Sequence, residues 1–370
     1  MSRLAAQKKR RDYSILGPEN QLAQQKGLVA AEWYTSPIPR QRMKELMKRK
    51  NGPAIRDTII WVAALGITGT LAYYSWGTWW AILAFAVYGV LYSSPGDSRW
   101  HECGHGTAFK TPWMNEAVYQ IASVMSLRPA TPWRWSHTRH HTDTIIVGRD
   151  PEIIAPRPPI WRLIMMDFFR LYIGPRDVKR MIMHCFGVIH PEEKEYIPAS
   201  EHRKTCWESR AYVLIFAIVI GACFYTGSIL PAMFIGLPSL YGAFMVLLFG
   251  MTQHLGLKED VLDHRLNSRT IYMNPIFRFL YWNMNYHSEH HMFPMVPYHA
   301  LPALHKEMKP DCPEARKGLW AALSEVFGAL IKQGKDPSYT VVKPLPATAR
   351  PYYYGPGTVA SDNTAAAGKG

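Results

Sequence analysis

The chain has 370 residues, with 42 Lys+Arg against 28 Asp+Glu and a formal charge of +14. Aromatic residues make up 13% of it, too much burial-seeking surface for a disordered chain. Five cysteines, an odd number without C-x-x-C spacing, exclude a small disulfide-stapled secreted domain.

Residues 1–54 form a basic arm with two clusters, Lys8-Lys9-Arg10-Arg11 and Lys48-Arg49-Lys50. The arm lacks the apolar stretch of a secretory signal, so the first membrane span is expected to direct targeting. Beside a span, such clusters suit anionic lipid better than nucleic acid, and no nucleic-acid partner is expected. From Thr58 to Gly96 there is no charged residue for 39 positions, and from Ala211 to Leu257 none for 47. One span needs about 20 apolar residues, so each run has room for two. The first run breaks at Ser75-Trp76-Gly77, among Tyr73, Tyr74, Trp79 and Trp80, as an interfacial aromatic belt would. The second breaks between Gly227 and Pro231. The predicted spans are about 57–75, 77–95, 211–229 and 231–253, paired as two hairpins in the lipid bilayer.

All 42 basic residues lie outside these spans, 13 in 1–57, 16 in 97–210 and 13 in 258–370. By the positive-inside rule both termini and all three polar segments face the cytoplasm, of a bacterial inner membrane rather than the endoplasmic reticulum. Segment 97–210 is too long for a simple loop; short helices lying against the membrane are expected in it, with 160–173 amphipathic. From Asp336 to residue 370 the Pro, Gly, Ala and Tyr content predicts a disordered tail. The fold class expected is all-α. A membrane domain over 55–335 carries four transmembrane helices and a cytoplasmic helical cap that holds a histidine-rich dimetal site.

The fifteen histidines cluster. His101-Glu102-Cys103-Gly104-His105 is an H-x-x-x-H, and His137-Thr138-Arg139-His140-His141 and His287-Ser288-Glu289-His290-His291 are both H-x-x-H-H. On a helix these spacings put side chains on one face, so each box can aim two or three imidazoles at one point. Neutral imidazole suits Zn, Cu, Fe and Ni. Eight histidines exceed one tetrahedral zinc site; two metals sharing about nine ligands fit better. His184, His190, His202, His264 and His299 lack the box spacing and are expected at the surface or in loops. Cys103 reads as a packing residue, and Trp133 and Trp135 as pocket lining or packing.

His101 to Phe109 resembles the first histidine box of the membrane fatty-acid desaturases, and Trp133 to His141 the second. Asn285 to Pro294, followed by Val296-Pro297-Tyr298 and Leu301-Pro302-Ala303-Leu304-His305, resembles the third. The resemblance covers roughly 55–310 and extends to the hydroxylases of the same superfamily. It implies a non-haem diiron centre, two Fe ions with O2 as co-substrate, bound by His101, His105, His137, His140, His141, His287, His290 and His291. It also points to His254, at the end of the last span, as a further ligand. Glu102, Asp143, Asp150, Glu152 and Glu289 lie in or near the boxes and are candidates for fixing the imidazole tautomers.

The implied function is desaturation of a fatty acyl chain carried on lipid, CoA or a carrier protein. The alternative is a monooxygenase that hydroxylates or O-/N-demethylates. A non-catalytic metal-binding or transport protein is disfavoured, because transporters hold ligands near the bilayer midplane and these boxes flank the spans. No His-Pro-Gly-Gly haem box, G-x-G-x-x-G or cysteine cluster is present. Electrons are therefore expected from a separate donor such as a ferredoxin, drawn by the basic face.

Overall fold

The computed structural model describes residues 11–355. The chain is helical, as the apolar runs predict. The one sheet among the described residues is a parallel pair of two-residue strands, Ile271–Tyr272 and Arg316–Lys317.

Among the described residues, two helices are long and apolar enough to cross a membrane. Asn51–Ser75 and His202–Thr226 have 25 residues each, about 37 Å at 1.5 Å per residue, against a hydrocarbon core of about 30 Å. Ile59, Ile67 and Leu71 on the first, and Leu214, Ile218 and Phe224 on the second, are exposed. These faces suit lipid rather than water. The first helix turns at Gly77, whose φ is +85°, and packs back along Trp80–Ser93.

The other two expected spans take a different form. Trp80–Ser93 has 14 residues, about 21 Å, and falls short of a full span. The stretch 231–253 is broken into Leu230–Phe234, Pro238–Tyr241 and Ala243–His254. Gly236 stands at φ +97°, and Pro238 has no N–H to continue a helix. Three of the carbonyls in this broken stretch take side-chain donors: Tyr88 Oη donates to Phe234 O (3.0 Å), Ser93 Oγ to Pro238 O (2.7 Å) and Tyr241 Oη to Met233 O (2.7 Å). Gly242 lies directly on Gly89, where a Cβ would come within 2.0 Å of the Gly89 carbonyl oxygen. Backbone thus meets backbone, a contact that small residues permit between apolar helices. Irregular backbone is tolerated in an apolar layer only when its polar groups are met in this way. Hydropathy counts apolar residues and does not register the break.

The histidine boxes lie on short helix segments that pack against one another. Box one sits on Arg99–Gly104, joined to Trp80–Ser93 by a 3-10 turn, Ser94–Asp97. Box two ends the helix Ala130–Thr142, box three forms His287–Met292, and His254 is the last residue of Ala243–His254. Trp100, Tyr119, Trp133, Met251, Tyr281 and Met284 belong to the one large buried cluster that ties these elements together. The expected amphipathic helix over 160–173 appears as Trp161–Asp167, followed after a break by Ile173–Cys185.

The described parts of both terminal segments pack against the rest of the chain. Lys8, Lys9 and Arg10 lie outside the described residues, but Arg11 pairs with Glu19, Glu259 and Asp260 rather than facing lipid. Further along the arm, Tyr34 Oη donates to Asp311 Oδ2 at 2.7 Å. The stretch from Asp336, expected to be disordered, runs along the protein as far as Gly355; residues 356–370 lie outside the described residues. The buried Arg265 fixes this path by donating to the carbonyls of Arg350 and Pro351 (3.0 and 2.9 Å), and Tyr352 is buried.

Candidate metal centre

Nine imidazoles converge in two groups. His101, His105, His137, His141 and His290 form one; His140, His254, His287 and His291 form the other. Within each, one ligand atom per residue lies within 4.8 Å of all the rest. Each H-x-x-H-H therefore serves two points rather than the one expected. Its first and last histidines go to one group and its middle one to the other. The groups abut, with the rings of His141 and His291 stacked at 4.4 Å.

The spacing fits metal ions. His137 Nε2 lies 2.9 Å from His101 Nε2 and 3.1 Å from both His105 Nε2 and His141 Nε2. A ring nitrogen carries one proton or one lone pair, so these three contacts cannot all be hydrogen bonds. Two nitrogens at right angles around one ion, each about 2.1 Å away, stand roughly 3.0 Å apart. In the second group His287 Nε2 is 2.9 Å from His254 Nε2 and 3.0 Å from His291 Nε2. The donor set is all nitrogen, which suits a first-row transition metal.

Burial favours the neutral imidazole that a ligand must be, and it prevails at every one of these histidines but His140. It lowers His105 to about 4, with the charge of His140 adding to the effect, and holds His101, His137, His141, His287, His290 and His291 well below the ordinary value. His140 is raised: burial opposes its charge, but the nearby Asp150 carboxylate outweighs that.

Polar partners on the outer nitrogens turn the rings inward. His137 Nδ1 faces Glu152 Oε2 at 2.9 Å and His140 Nδ1 faces Asp150 Oδ2 at 2.8 Å. His101 Nδ1 faces Asp97 Oδ1 at 3.1 Å. His254 Nδ1 meets the Asn267 carbonyl at 2.7 Å. Thr144 Oγ1 donates to the His140 carbonyl at 2.7 Å, which leaves a lone pair for His291 Nδ1 at 3.2 Å. Trp133 walls the first group, stacked on His137 at 4.4 Å and on Trp100 at 3.9 Å.

A model of the fatty acid desaturase family matches residues 76–322. The chain belongs to that family. The acyl-lipid omega-3 desaturase (cytochrome b5), endoplasmic reticulum, of Arabidopsis thaliana is 25% identical over 299 residues, 73% of this chain and 70% of its own. A probable fatty acid desaturase of Sorghum bicolor is 25% identical over 293 residues, 69% of each chain. A chloroplastic omega-3 fatty acid desaturase of Sesamum indicum is 22% identical over 285 residues, 71% of this chain but 61% of its own length. The chain thus spans less than two thirds of that last relative.

Of the five carboxylates singled out in this desaturase-family sequence, Asp150 and Glu152 touch box imidazoles. Glu102 does not: its Oε1 is 3.6 Å from His290 Nδ1, beyond hydrogen-bond range, and its Oε2 accepts from Thr107 Oγ1 and the Tyr298 N–H at 3.0 Å each. Glu289 turns away to His305 Nδ1 at 2.6 Å. Asp143 pairs with Arg139 and Arg149. Asp97, Thr144 and Asn267 escaped the sequence reading. Asp97 was within reach, one helical turn before His101; a hydroxyl and a backbone carbonyl carry no comparable signal. Two histidines assigned to surface or loops are buried. His184 lies between Ser209 Oγ (3.2 Å) and Glu193 Oε2 (2.8 Å), and His264 packs beside the second group.

Proposed function

We propose that the chain is a membrane-bound diiron oxidoreductase that uses O2, and electrons from a separate donor, to introduce a double bond into a fatty acyl chain. The observation that carries this reading is the convergence of nine imidazole nitrogens into two groups at metal-ligand spacing, in a member of the fatty acid desaturase family. In this reading His101, His105, His137, His141 and His290 hold one ion, and His140, His254, His287 and His291 the other. Iron bound there supplies the one-electron redox chemistry needed to reduce O2 and to remove hydrogen from an unactivated C–H bond. The protein contributes pre-aimed ligands. Glu152, Asp150 and Asp97 hold the Nδ1 protons of His137, His140 and His101, so the Nε2 lone pairs face inward before any ion arrives. Trp133, from the buried cluster, packs on His137 and beside His101. The distribution of basic residues supports a cytoplasmic centre with both termini on the same side.

The test is turnover by the full chain in lipid, with a reduced donor under isotopically labelled oxygen, followed by mass spectrometry of the acyl products. A new double bond without label in the product is expected. Label incorporated into the product would overturn desaturation in favour of monooxygenation.

A further inference from the structure

A groove outside the metal centre joins three separate segments. Its cavity of about 480 Å³ lies between the N-terminal arm, the chain after box three and the tail, and is large enough for a small ligand. Ile38, Met43 and Phe293 in its lining are half-buried and pack against the main core. Arg40, Lys44 and Arg350 in its lining are exposed. Arg40 and Lys44 stand one turn apart on the helix Arg40–Leu46. That helix is pinned by buried Leu46 and by Arg42, which donates to Glu307 Oε1 at 2.8 Å. No carboxylate lines the groove, and its three cations form no ion pair among the described residues. The carboxylates close in chain or contact are Glu32, Glu45, Glu307, Asp263 and Asp311. Arg42 holds Glu45 and Glu307, and Arg265 holds Asp263 and Asp311. Asp311, behind Ser36, also accepts from Tyr34, Ser36 and the Arg350 N–H. With Lys48, Arg49 and Lys50 next along the chain, the cations remain in excess after every one of these acids is counted.

The groove sits at the foot of a membrane helix. Met47, exposed in its lining, stands four residues before Asn51–Ser75. That helix is longer than the hydrocarbon core is thick, so its first turn lies at headgroup level. Ile55 and Ile59, one and two turns along it, are exposed. Cations and apolar side chains set together beside lipid suit an amphiphile rather than a soluble anion. We propose that the groove binds one anionic phospholipid of the adjoining leaflet, with its phosphate among Arg40, Lys44 and Arg350 and an acyl chain along Met47, Ile55 and Ile59. A phosphatidylcholine would bring its own cation to a site that already holds three, so the site selects lipid of net negative charge. The bound lipid ties the arm to the tail over Phe293, the residue that ends the box-three helix. The proposal rests on the membrane reading above and not on the metal.

The test is native mass spectrometry of the full chain in detergent, given phosphatidylglycerol and phosphatidylcholine in equal amounts. The wild type is expected to retain one phosphatidylglycerol in preference. The triple variant Arg40→Gln, Lys44→Gln, Arg350→Gln should weaken that retention by about 100-fold, roughly fivefold for each cation removed, and Arg350→Gln alone by about fivefold. A second triple variant, Lys110→Gln, Lys179→Gln, Arg203→Gln, removes the same charge from exposed positions outside the groove and should retain the lipid as the wild type does. Thermal unfolding in nanodiscs supplies the second readout. Phosphatidylglycerol should raise the midpoint of the wild type and leave that of the first triple variant where pure phosphatidylcholine puts it. The site is overturned if the wild type takes both lipids equally, if the first triple variant keeps its phosphatidylglycerol, or if the second loses as much as the first. Displacement of the lipid by soluble glycerol phosphate would overturn it too, since the groove would then read a free phosphate. A chain that stays in solution without detergent would sink the membrane reading itself.

Discussion

The two imidazole groups use the same motif in opposite proportion. The box at His137 gives its i and i+4 rings to the five-membered group and its i+3 ring, His140, to the four-membered one. The box at His287 gives i and i+4 to the four-membered group and His290 to the five-membered one. At 3.6 residues per turn, i+4 lies about 40° to one side of i and i+3 about 60° to the other. One turn of helix can thus serve two adjacent points, and two such turns facing each other fix the distance between the points. The supports differ as well. The five-membered group leans on the carboxylates Asp97 and Glu152; the four-membered group has one carboxylate, Asp150, with a hydroxyl and a backbone carbonyl. The second group therefore depends in part on the path of the chain around 254–267, which holds His254 through a backbone carbonyl that no side-chain change removes.

The largest effect expected comes from breaking this exchange. His137→Ala and His140→Ala should each abolish turnover, but empty different groups. Iron per chain falls in both, and the Mössbauer spectrum of the iron left behind should differ between them. Identical residual spectra would mean that both histidines serve one ion, and the comparison would collapse. Next come the carboxylates. Glu152→Gln and Asp150→Asn should each weaken metal retention against a chelator by about 10- to 100-fold, the first acting on the five-membered group and the second on the four-membered one. Asp143→Asn, which touches only Arg139 and Arg149, should leave retention near wild type. A loss as large as that of Asp150→Asn would show that proximity to a box matters more than contact.

Acid should weaken the five-membered group in a defined window. Burial lowers His105 from 6.5 to about 4. As pH falls below 6.5 the unfolded chain takes up a proton that the folded chain refuses, so folding stability is full above 6.5 and declines between 6.5 and about 4. The thermal midpoint of the metal-free protein should fall across that interval. The loaded protein should hold to lower pH, because protons must then displace the ion. A flat profile for the metal-free protein between those values would contradict the burial of these rings.

The three boxes were legible in the sequence because helical spacing alone brings their histidines to one face, and His254 because it stands alone at the end of an apolar run. The division into two groups was not, since it depends on how two short helices face each other across about 150 residues of chain. Apolar content located both long apolar helices. It did not reveal the break over 231–253, where Gly236, Pro238 and Gly242 interrupt the helix and the hydroxyls of Tyr88 and Ser93, distant in sequence, donate to its carbonyls. The path of the described tail was hidden for a related reason: its composition is that of solvated chain, and it is held by a buried side chain far away in sequence, Arg265, which donates to the carbonyls of Arg350 and Pro351.

The smallest effect expected tests how closely the wall of the five-membered group is fitted. Gly104 closes the box-one helix, and a Cβ there would stand 2.6 Å from Trp133 Cζ3 and 3.1 Å from Tyr119 Cε2. Trp133 cannot retreat freely, because Trp100 stacks on it at 3.9 Å and His137 at 4.4 Å. Gly104→Ala should therefore overpack the wall, at a cost of about 1–3 kcal/mol, and displace His137 slightly. Activity should drop by less than in the carboxylate variants. Trp133→Phe removes the ring that the methyl group meets, so the double variant should be more stable than the sum of the two single changes predicts. Thermal unfolding of the four proteins of that cycle measures the coupling. Strict additivity would mean that the backbone of box one relaxes without pressing on Trp133, and the five-membered group would then be the more tolerant of the two.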